Sequence, residues 1–318
     1  MADDQHSGGA RVPGGFLCWV PTDLIAGALA DLDGVRVEVQ VPDSSSLPAS
    51  ADEVEFYVPP FFPAPPAVAA MAHMPKLRVV QTLTAGFDRV RPHVPVEAVL
   101  CNARGVHDAS TAERVVGATV AAMRQFPFFV REQLAGRWSY QFTGSLAGKT
   151  VLIVGYGSIG QAVERRLSGF EVGIRRVARS GRDGVSPVSE LPRLLPESDV
   201  VILLAPVTAE TIGMVDAAFL ARMHDGALLV NAARGVLVVT DALVAELQAG
   251  RLAAAMDLTD PEPLPAGHPL WTLPNAFVTP HVGASTPYSE LMARSFVRQQ
   301  AERYLAGEPL VNVITGDY

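Results

Sequence analysis

Three glycines in the segment TVLIVGYGSIGQAVERRL have the spacing of a turn that binds a dinucleotide. Gly155 permits a tight turn after an apolar strand, Gly157 lets the backbone approach a pyrophosphate, and Gly160 allows the next helix to pack closely on the strand. Amides at the start of that helix would face the diphosphate, and the helix dipole would attract its charge. The same glycines could serve only a tight turn, but the strand before them and the helix after them favour a dinucleotide site. The turn residues predicted to contact the cofactor are Gly155, Tyr156, Gly157, Ser158, Ile159 and Gly160.

The segment RRVARSGRD (175–183) follows about 20 residues later, where an acidic residue would hold the ribose 2′-hydroxyl of NAD. Ala178 takes the place of that acid, and Arg179, Ser180 and Arg182 follow it. Guanidinium groups would pair with the additional 2′-phosphate of NADP through charge-assisted bonds. The segment therefore predicts NADP, with NAD as the alternative if these arginines form only a solvated basic loop or if Asp183 is the acid.

Short apolar strands alternate with stretches of helix length along nearly the whole chain. We predict strands at 16–20, 35–41, 55–58, 77–81 and 98–101, and then at 150–155, 171–178, 199–205, 226–231, 252–257 and 276–280. Near-continuously apolar strands in repeated β-α-β order indicate parallel sheets covered on both faces, here in two α/β domains. The helix from Ser110 is predicted to connect them and to begin with a capping box formed by Ser110 and Glu113. The loop VPPFFPAPP (58–66) cannot continue a helix or strand.

Composition excludes several classes of function. The chain has 318 residues, 49% of them hydrophobic and 18% charged, which indicates a folded globular protein. Its net charge of −8 argues against nucleic acid or an anionic membrane as partner. Seven histidines without metal-ligand spacing predict no metal site. Cys18 and Cys101, isolated in apolar stretches, are typical of the reducing cytoplasm, and residues 1–15 are predicted to be a frayed tail rather than a secretory signal.

Three further motifs, NAARG (231–235), MDLTDPEP (256–263) and TPHVGAST (279–286), each follow a late parallel strand, at the sheet edge where ligands bind. With LRVVQTLTAGFDRV, CNARGVHDASTAE, APVTAETIGMV and DPEPLPAGHPLW in the same order, the chain resembles the D-isomer-specific 2-hydroxyacid dehydrogenases, especially their glyoxylate/hydroxypyruvate reductase branch. The resemblance implies a Rossmann-type cofactor domain at 105–284 and a flavodoxin-like substrate domain at 1–104 and 285–318. It also implies a homodimer.

The resemblance also implies roles for individual residues in reducing a small 2-keto acid to the D-2-hydroxy acid. Arg234 would bind the substrate carboxylate and polarise the keto oxygen, and His281 would donate a proton to that oxygen with Glu262 as its carboxylate partner. Amides of Ala85 and Gly86 would complete substrate binding in a cleft between the domains. Further cofactor contacts would come from Ala205, Pro206, Ala232, Asp257 and Gly283.

Each residue also has a simpler interpretation. Arg234 alone could be a surface arginine, His281 a structural histidine and Glu262 a turn residue, but their order along the chain with the glycine turn favours catalysis. Two other functions retain the same motifs: a cofactor-sensing, corepressor-like binding protein without turnover, and a dehydrogenase of another small anion such as phosphite. Formate dehydrogenases are similar but carry glutamine where Glu262 stands, which disfavours that function.

Overall fold

The computed structural model describes residues 14–43 and 47–316. They form two compact units, one comprising the chain up to His107 together with the segment from Thr286 onward, and the other comprising Asp108–Ser285. The tail predicted at 1–15 lies outside the described residues except for its last two positions. The helices, in chain order, are α1 (Asp23–Leu29), α2 (Pro65–Ala69), α3 (Asp108–Met123), α4 (Phe126–Leu134), α5 (Ser158–Leu167), α6 (Leu191–Leu194), α7 (Ala217–Arg222), α8 (Thr240–Gln248) and α9 (Pro287–Ala306).

A parallel sheet forms the centre of the unit built from both chain ends. Its strands are β1 (Phe16–Val20), β2 (Val35–Val39), β3 (Val54–Tyr57), β4 (Val79–Gln81) and β5 (Val99–Cys101). Their spatial order is β2-β1-β3-β4-β5, which is the order of a flavodoxin-like sheet, the kind of domain that the family resemblance implied. Every residue of β1 is buried, because both faces of a parallel sheet are covered.

Helix α9 packs on this sheet after the chain has completed the other unit. Thr286 begins it as an N-cap, its hydroxyl accepting the N–H of Ser289 at 3.1 Å, and Gly307 ends it with φ 69°. In the middle of the helix, the buried Gln300 amide donates to Oε1 of Gln81 at 2.8 Å. This bond fixes the helix against the end of β4.

The other unit is a doubly wound sheet of the Rossmann type, as predicted. Its strands are β6 (Thr150–Val154), β7 (Gly173–Ala178), β8 (Ser186–Pro187), β9 (Val200–Leu203), β10 (Leu228–Asn231), β11 (Ala253–Met256) and β12 (Ala276–Val278). In the order β12-β11-β10-β9-β6-β7-β8, the strand order reverses between β6 and β9, which lie side by side. Side chains of β6 alternate between two apolar clusters, with Leu152 and Val154 in one and Val151 and Ile153 in the other. The two-residue strand β8 was not predicted, since its sequence carries no apolar run.

The start of α3 corrects the predicted capping box. The helix begins at Asp108, so Ser110 lies inside its first turn and is buried rather than capping it. Asp108 places a negative charge at the positive end of the helix dipole, and its Oδ1 accepts a hydrogen bond from the Ser158 hydroxyl at 3.1 Å. The helix therefore begins two residues earlier than predicted, with the acidic Asp108 as its first residue.

Three further observations concern the cysteines, the helices and the potential metal ligands of the described residues. Both cysteines are free and buried, as the sequence predicted. No helix in residues 14–43 or 47–316 combines the length and apolarity needed to span a bilayer. The same residues contain no group of three or more His, Cys, Asp or Glu side chains placed to hold a metal ion.

Candidate active site

The glycine turn after β6 has room for a ligand at one glycine and for none at the other two. Gly155 has φ 96°, and a Cβ there would lie 2.3 Å from the backbone nitrogen of Ala205. A Cβ at Gly160 would lie 3.2–3.3 Å from Tyr156, Gly155 and Ile153, so glycine lets α5 pack closely on its strand. By contrast, a Cβ at Gly157 would meet nothing within 4 Å, although this residue is the N-cap of α5. The space beside Gly157 and the helix N-terminus fits a pyrophosphate group.

The remaining predicted cofactor residues on this side of the sheet lie at carboxyl ends of neighbouring strands. Ala205 and Pro206 follow β9, and Ala232 follows β10, both strands adjoining or lying next but one to β6. Ile159 is half-buried and packs toward the core beneath α5. Strand order alone therefore brings these residues to the edge where the glycine turn opens.

The four arginines of RRVARSGRD divide into two groups. Arg175 forms an ion pair with Glu197 at 3.1 Å, and Arg176 forms a two-pronged pair with Glu164, whose carboxylate also accepts from the Tyr156 hydroxyl. The hydrogen bonds from Arg176 hold the pKa of Glu164 below its usual range. These two arginines therefore serve contacts inside the unit.

Arg179 and Arg182 lie beyond the end of β7 and are exposed. The Nη2 of Arg182 donates to the Tyr156 carbonyl at 2.6 Å, and its guanidinium carbon lies 5.9 Å from the centroid of the Tyr156 ring. This contact places the positive charge beside the glycine turn. Ala178 ends β7 without a carboxylate, while Asp183 lies in the exposed turn that Arg182 and Val185 close through reciprocal backbone bonds.

His281 and Glu262, the predicted proton donor and its partner, are brought together. Nδ1 of His281 lies 2.5 Å from Oε1 of Glu262, with the two side chains 25% and 30% exposed. His281 has φ 53°, an uncommon conformation for a residue with a side chain, and its N–H donates to the Asp257 carbonyl at 2.8 Å. Since the Glu262 bond uses Nδ1, the Nε2 side of the ring is the one that can carry a proton to a substrate.

Arg234 is positioned by an asparagine that the sequence reasoning did not single out. Asn231, the last residue of β10, donates to the carbonyls of Arg234 at 2.9 Å and Leu258 at 3.1 Å. Gly235 then packs so tightly on the backbone of Thr259 that a Cβ would lie 2.0 Å from the Thr259 oxygen. The first residue of NAARG was the available signal for this contact, because a buried amide at a strand end must find backbone partners.

Asp257 and Gly283, predicted to contact the cofactor, contact each other. Asp257 is buried, and its Oδ2 accepts the N–H of Gly283 at 2.8 Å. A Cβ on Gly283 would lie 3.0 Å from that oxygen. The carboxylate of Asp257 is thus bonded within the chain. Contact of either residue with a cofactor stays a prediction.

The predicted substrate amides, those of Ala85 and Gly86, lie in the unit built from both chain ends, on the loop after β4. Asn102 donates to the carbonyl of Ala85 at 2.8 Å, and the Thr84 hydroxyl donates to the carbonyl of Gly86 at 2.5 Å. Because a trans peptide points its N–H opposite its C=O, the N–H of Gly86 points away from Asn102. Asn102 and Thr84 thus orient the loop, and neither was predicted to do so.

The predicted catalytic residues of the Rossmann-type unit lie at one edge of its sheet. Arg234 follows β10, Asp257 follows β11 and His281 follows β12, and these strands are neighbours that run parallel. A guanidinium, an imidazole paired with a carboxylate, and a glycine turn therefore lie at the sheet edge where doubly wound folds bind their ligands.

Comparison with known proteins gives the family. Residues 116–283 match the model of the "D-isomer specific 2-hydroxyacid dehydrogenase, NAD binding domain". The glyoxylate reductase of Thermofilum pendens is 35% identical over 243 residues, which is 70% of this chain and 72% of that protein. The D-3-phosphoglycerate dehydrogenase of Methanocaldococcus jannaschii is 34% identical over 252 residues, 75% of this chain but 48% of that protein.

The folds agree along nearly the full length. The structure of a D-isomer specific 2-hydroxyacid dehydrogenase from Xanthobacter autotrophicus, in complex with NADPH and MES, has a TM-score of 0.82 at 28% sequence identity, covering 95% of this chain and 98% of that chain. The chain therefore belongs to the D-isomer specific 2-hydroxyacid dehydrogenase family. It is an oxidoreductase with a nicotinamide dinucleotide as cofactor.

Proposed function

We propose that this chain reduces a small 2-keto acid, of the glyoxylate or hydroxypyruvate type, to the D-2-hydroxy acid with NADPH. The hydrogen bond between His281 and Glu262 carries the proposal. A carboxylate that accepts from Nδ1 stabilises the imidazolium and fixes the ring, which prepares Nε2 to donate a proton. The pair lies at the same sheet edge as Arg234, which would bind the substrate.

The residues of the chain divide the chemistry as follows. Arg234 binds the substrate carboxylate and polarises its keto oxygen, since the guanidinium offers two parallel donors. The amides of Ala85 and Gly86 are the further donors that we propose for the substrate. His281, as the imidazolium, donates its Nε2 proton to the keto oxygen as that oxygen becomes a hydroxyl, and the ring is left neutral. Glu262 stabilises the charged ring before the proton is transferred. When bound, the nicotinamide supplies the hydride.

The sorting of the arginines supports NADPH over NADH. Arg175 and Arg176 are held by Glu197 and Glu164, whereas Arg182 is drawn by the Tyr156 carbonyl toward the glycine turn. Ala178 leaves room for a 2′-phosphate that an acidic side chain would repel. Arg179, Ser180 and Arg182 are the groups that would bind it.

The decisive experiment follows the absorbance of reduced nicotinamide with a panel of 2-keto acids and both cofactors. We expect turnover of glyoxylate and hydroxypyruvate with NADPH, and slower turnover with NADH. The panel includes 3-phosphohydroxypyruvate, because the phosphoglycerate dehydrogenase relatives are equally similar in sequence. It also includes phosphite with oxidised cofactor. Consumption of reduced nicotinamide with none of the keto acids would favour a binding protein without turnover.

A pair of variants tests the choice of cofactor separately. Arg182→Ala is expected to raise the Kd of NADPH about tenfold or more and to change that of NADH by less than about threefold, because only NADPH carries the 2′-phosphate. Arg175→Ala is the matched control, since it removes a neighbouring arginine that pairs with Glu197. Equal effects of the Arg182 change on both cofactors would contradict the proposed role.

We also propose a homodimer formed through the cofactor domain. Helix α4 exposes Phe126, Val130 and Leu134 at four-residue spacing, and the following segment exposes Trp138, Tyr140 and Phe142 at alternate positions. Arg137, just before the first of these aromatics, and Ser139, between the first two, donate to Glu132 on α4. Large apolar side chains exposed in such number on one segment are typical of a protein–protein interface. Leu134→Glu should lower the molar mass measured by light scattering, whereas Val96→Glu, which changes an isolated residue 98% exposed in the other unit, should not.

A further inference from the structure

A charged side chain is enclosed beneath the loop that carries His281. Arg114 lies on α3 with its side chain 17% exposed. Its guanidinium carbon is 5.4 Å from the centroid of the Phe277 ring, and Nη2 donates to the Thr279 hydroxyl. Its Nε lies 3.7 Å from Oδ1 of Asp257, which is itself buried. A guanidinium placed here needs these partners, since leaving a buried charge unpaired is costly.

The charge of Arg114 is directed at Asp257. Burial lowers the pKa of Arg114, and the negative charge of Asp257 opposes that effect. The Thr279 hydroxyl connects the two side chains, because it accepts from Arg114 and donates to Oδ1 of Asp257 at 2.5 Å. The ring of Phe277 closes the other side of the guanidinium. The arginine thus stabilises a carboxylate that would otherwise be buried without a counter-charge.

Asp257 in turn contacts the chain on both sides of His281, through the Thr279 hydroxyl before it and through backbone N–H groups after it. Its carboxylate accepts the N–H of Val282 at 3.1 Å and of Gly283 at 2.8 Å, and Thr279 precedes the histidine by two residues. The backbone carbonyl of Asp257 accepts the N–H of His281 itself at 2.8 Å. Because His281 has φ 53°, its conformation depends on such contacts from its surroundings.

We infer that Arg114 is a positioning residue for His281, acting through Thr279 and Asp257 on residues 279–283. The inference rests on the proposed function, in which His281 donates the proton. Arg114 does not touch the reacting atoms in this account. It keeps the Asp257 side chain in the position from which its oxygens accept from Thr279, Val282 and Gly283, and these contacts hold the histidine backbone in its left-handed conformation. The ring can then reach both Glu262 and the substrate oxygen.

The test compares Arg114→Met with Arg114→Lys and with Arg124→Met. Arg124 follows the same helix and donates from Nε to the Thr143 hydroxyl at 3.1 Å, but it is exposed, which makes it a matched control. Proton donation is required only in the transition state, so Arg114→Met should lower kcat about tenfold with the KM of the keto acid changed by less than about twofold. Arg114→Lys, which keeps the charge and one donor, should recover part of kcat, and Arg124→Met should match the wild type.

A purely structural role of Arg114 is distinguished from a positioning role by measuring both the Tm and kcat of the folded variants. If Arg114→Met lowers the Tm yet leaves kcat unchanged, the inference is wrong. Should that variant fail to fold, Thr279→Val removes the connecting hydroxyl alone and is expected to give the same loss of kcat; unchanged kcat in this variant would also overturn the inference.

Failure of the proposed function is recognised by a readout that needs no turnover. The ring signal of His281, assigned by its loss in His281→Asn, is recorded by NMR in histidine-labelled protein. A shift of this signal in Arg114→Met and not in Arg124→Met supports the positioning role even if no keto acid is reduced. A signal that stays in place in both variants contradicts it.

Discussion

Nδ1 of His281 donates to Oε1 of Glu262 across 2.5 Å, from a loop after β12 to a turn after β11. Glu262 lies between Pro261 and Pro263, and both of its proline bonds, Asp260–Pro261 and Glu262–Pro263, are cis. In the proposed function this bond engages Nδ1 and leaves Nε2 to face the substrate. His281 is thereby suited to proton transfer from Nε2.

Replacement of either partner should reduce turnover to a different extent. His281→Asn removes the proton donor and should lower kcat/KM roughly 10²-fold or more. Glu262→Gln keeps an oxygen acceptor for Nδ1 but removes the negative charge, so we expect a smaller loss, about tenfold. Steady-state kinetics with the best keto acid measures both, and NADPH fluorescence verifies that cofactor binding persists. Wild-type turnover in His281→Asn would refute the proton-donor role.

Arg234 is expected to act on substrate and transition state together. Arg234→Ala should lower kcat/KM roughly 10²-fold or more, with a raised KM for the keto acid, because the carboxylate loses its cationic partner. Arg234→Lys should recover only part of the loss, since an ammonium lacks the planar pair of donors. Arg222→Ala, which removes an exposed arginine in the last turn of α7, is the control. If Arg234→Ala kept its KM and kcat, the assignment of substrate binding would be wrong.

The fold was predictable because its elements carry independent local signals. Continuously apolar strands separated by helical stretches define parallel sheets, and the glycine spacing fixes the first crossover. The strand orders then follow the two doubly wound arrangements. The predicted start of α3, Ser110, was wrong by two residues. Ser110 and Asp108 are both acceptable near a helix N-terminus, and only tertiary contacts decide between them.

The candidate site was only partly predictable from the sequence. His281 and Glu262 were paired in advance through a family resemblance, not by spacing, since 19 residues separate them. Supporting residues such as Asn231, Asn102 and Arg114 escaped prediction because their partners are backbone carbonyls or side chains distant in the chain. A sequence shows that such a residue is polar, but its partners are determined by packing.

The two thiols provide a test of burial that depends on pH. Burial raises the pKa of Cys101 to about 12 from 9.0, outweighing the hydrogen bond from Gln300, and burial likewise raises the pKa of Cys18. Below pH 9 both states keep the proton, so stability does not depend on these groups. Above it the unfolded chain loses a proton that the folded chain retains, and each thiol lowers the free energy of unfolding by about 1.4 kcal/mol per pH unit. The free energy of unfolding of Cys101→Ala, measured with urea, should therefore decline less steeply above pH 9 than that of the wild type. Equal slopes for the two proteins would contradict the burial of Cys101.

Two neighbouring glycines separate stability from cofactor binding. In Gly155→Ala the new methyl group would lie 2.3 Å from the Ala205 nitrogen at a residue with φ 96°, so the free energy of unfolding should fall by at least about 2 kcal/mol. In Gly157→Ala the methyl group meets no atom within 4 Å and φ is −100°, so stability should change by less than about 0.5 kcal/mol. The same methyl group occupies space that the pyrophosphate requires, and the Kd of NADPH should rise about tenfold or more. Urea titration and NADPH fluorescence on both variants measure the two effects; unchanged NADPH affinity in Gly157→Ala would show that the diphosphate does not approach this part of the turn.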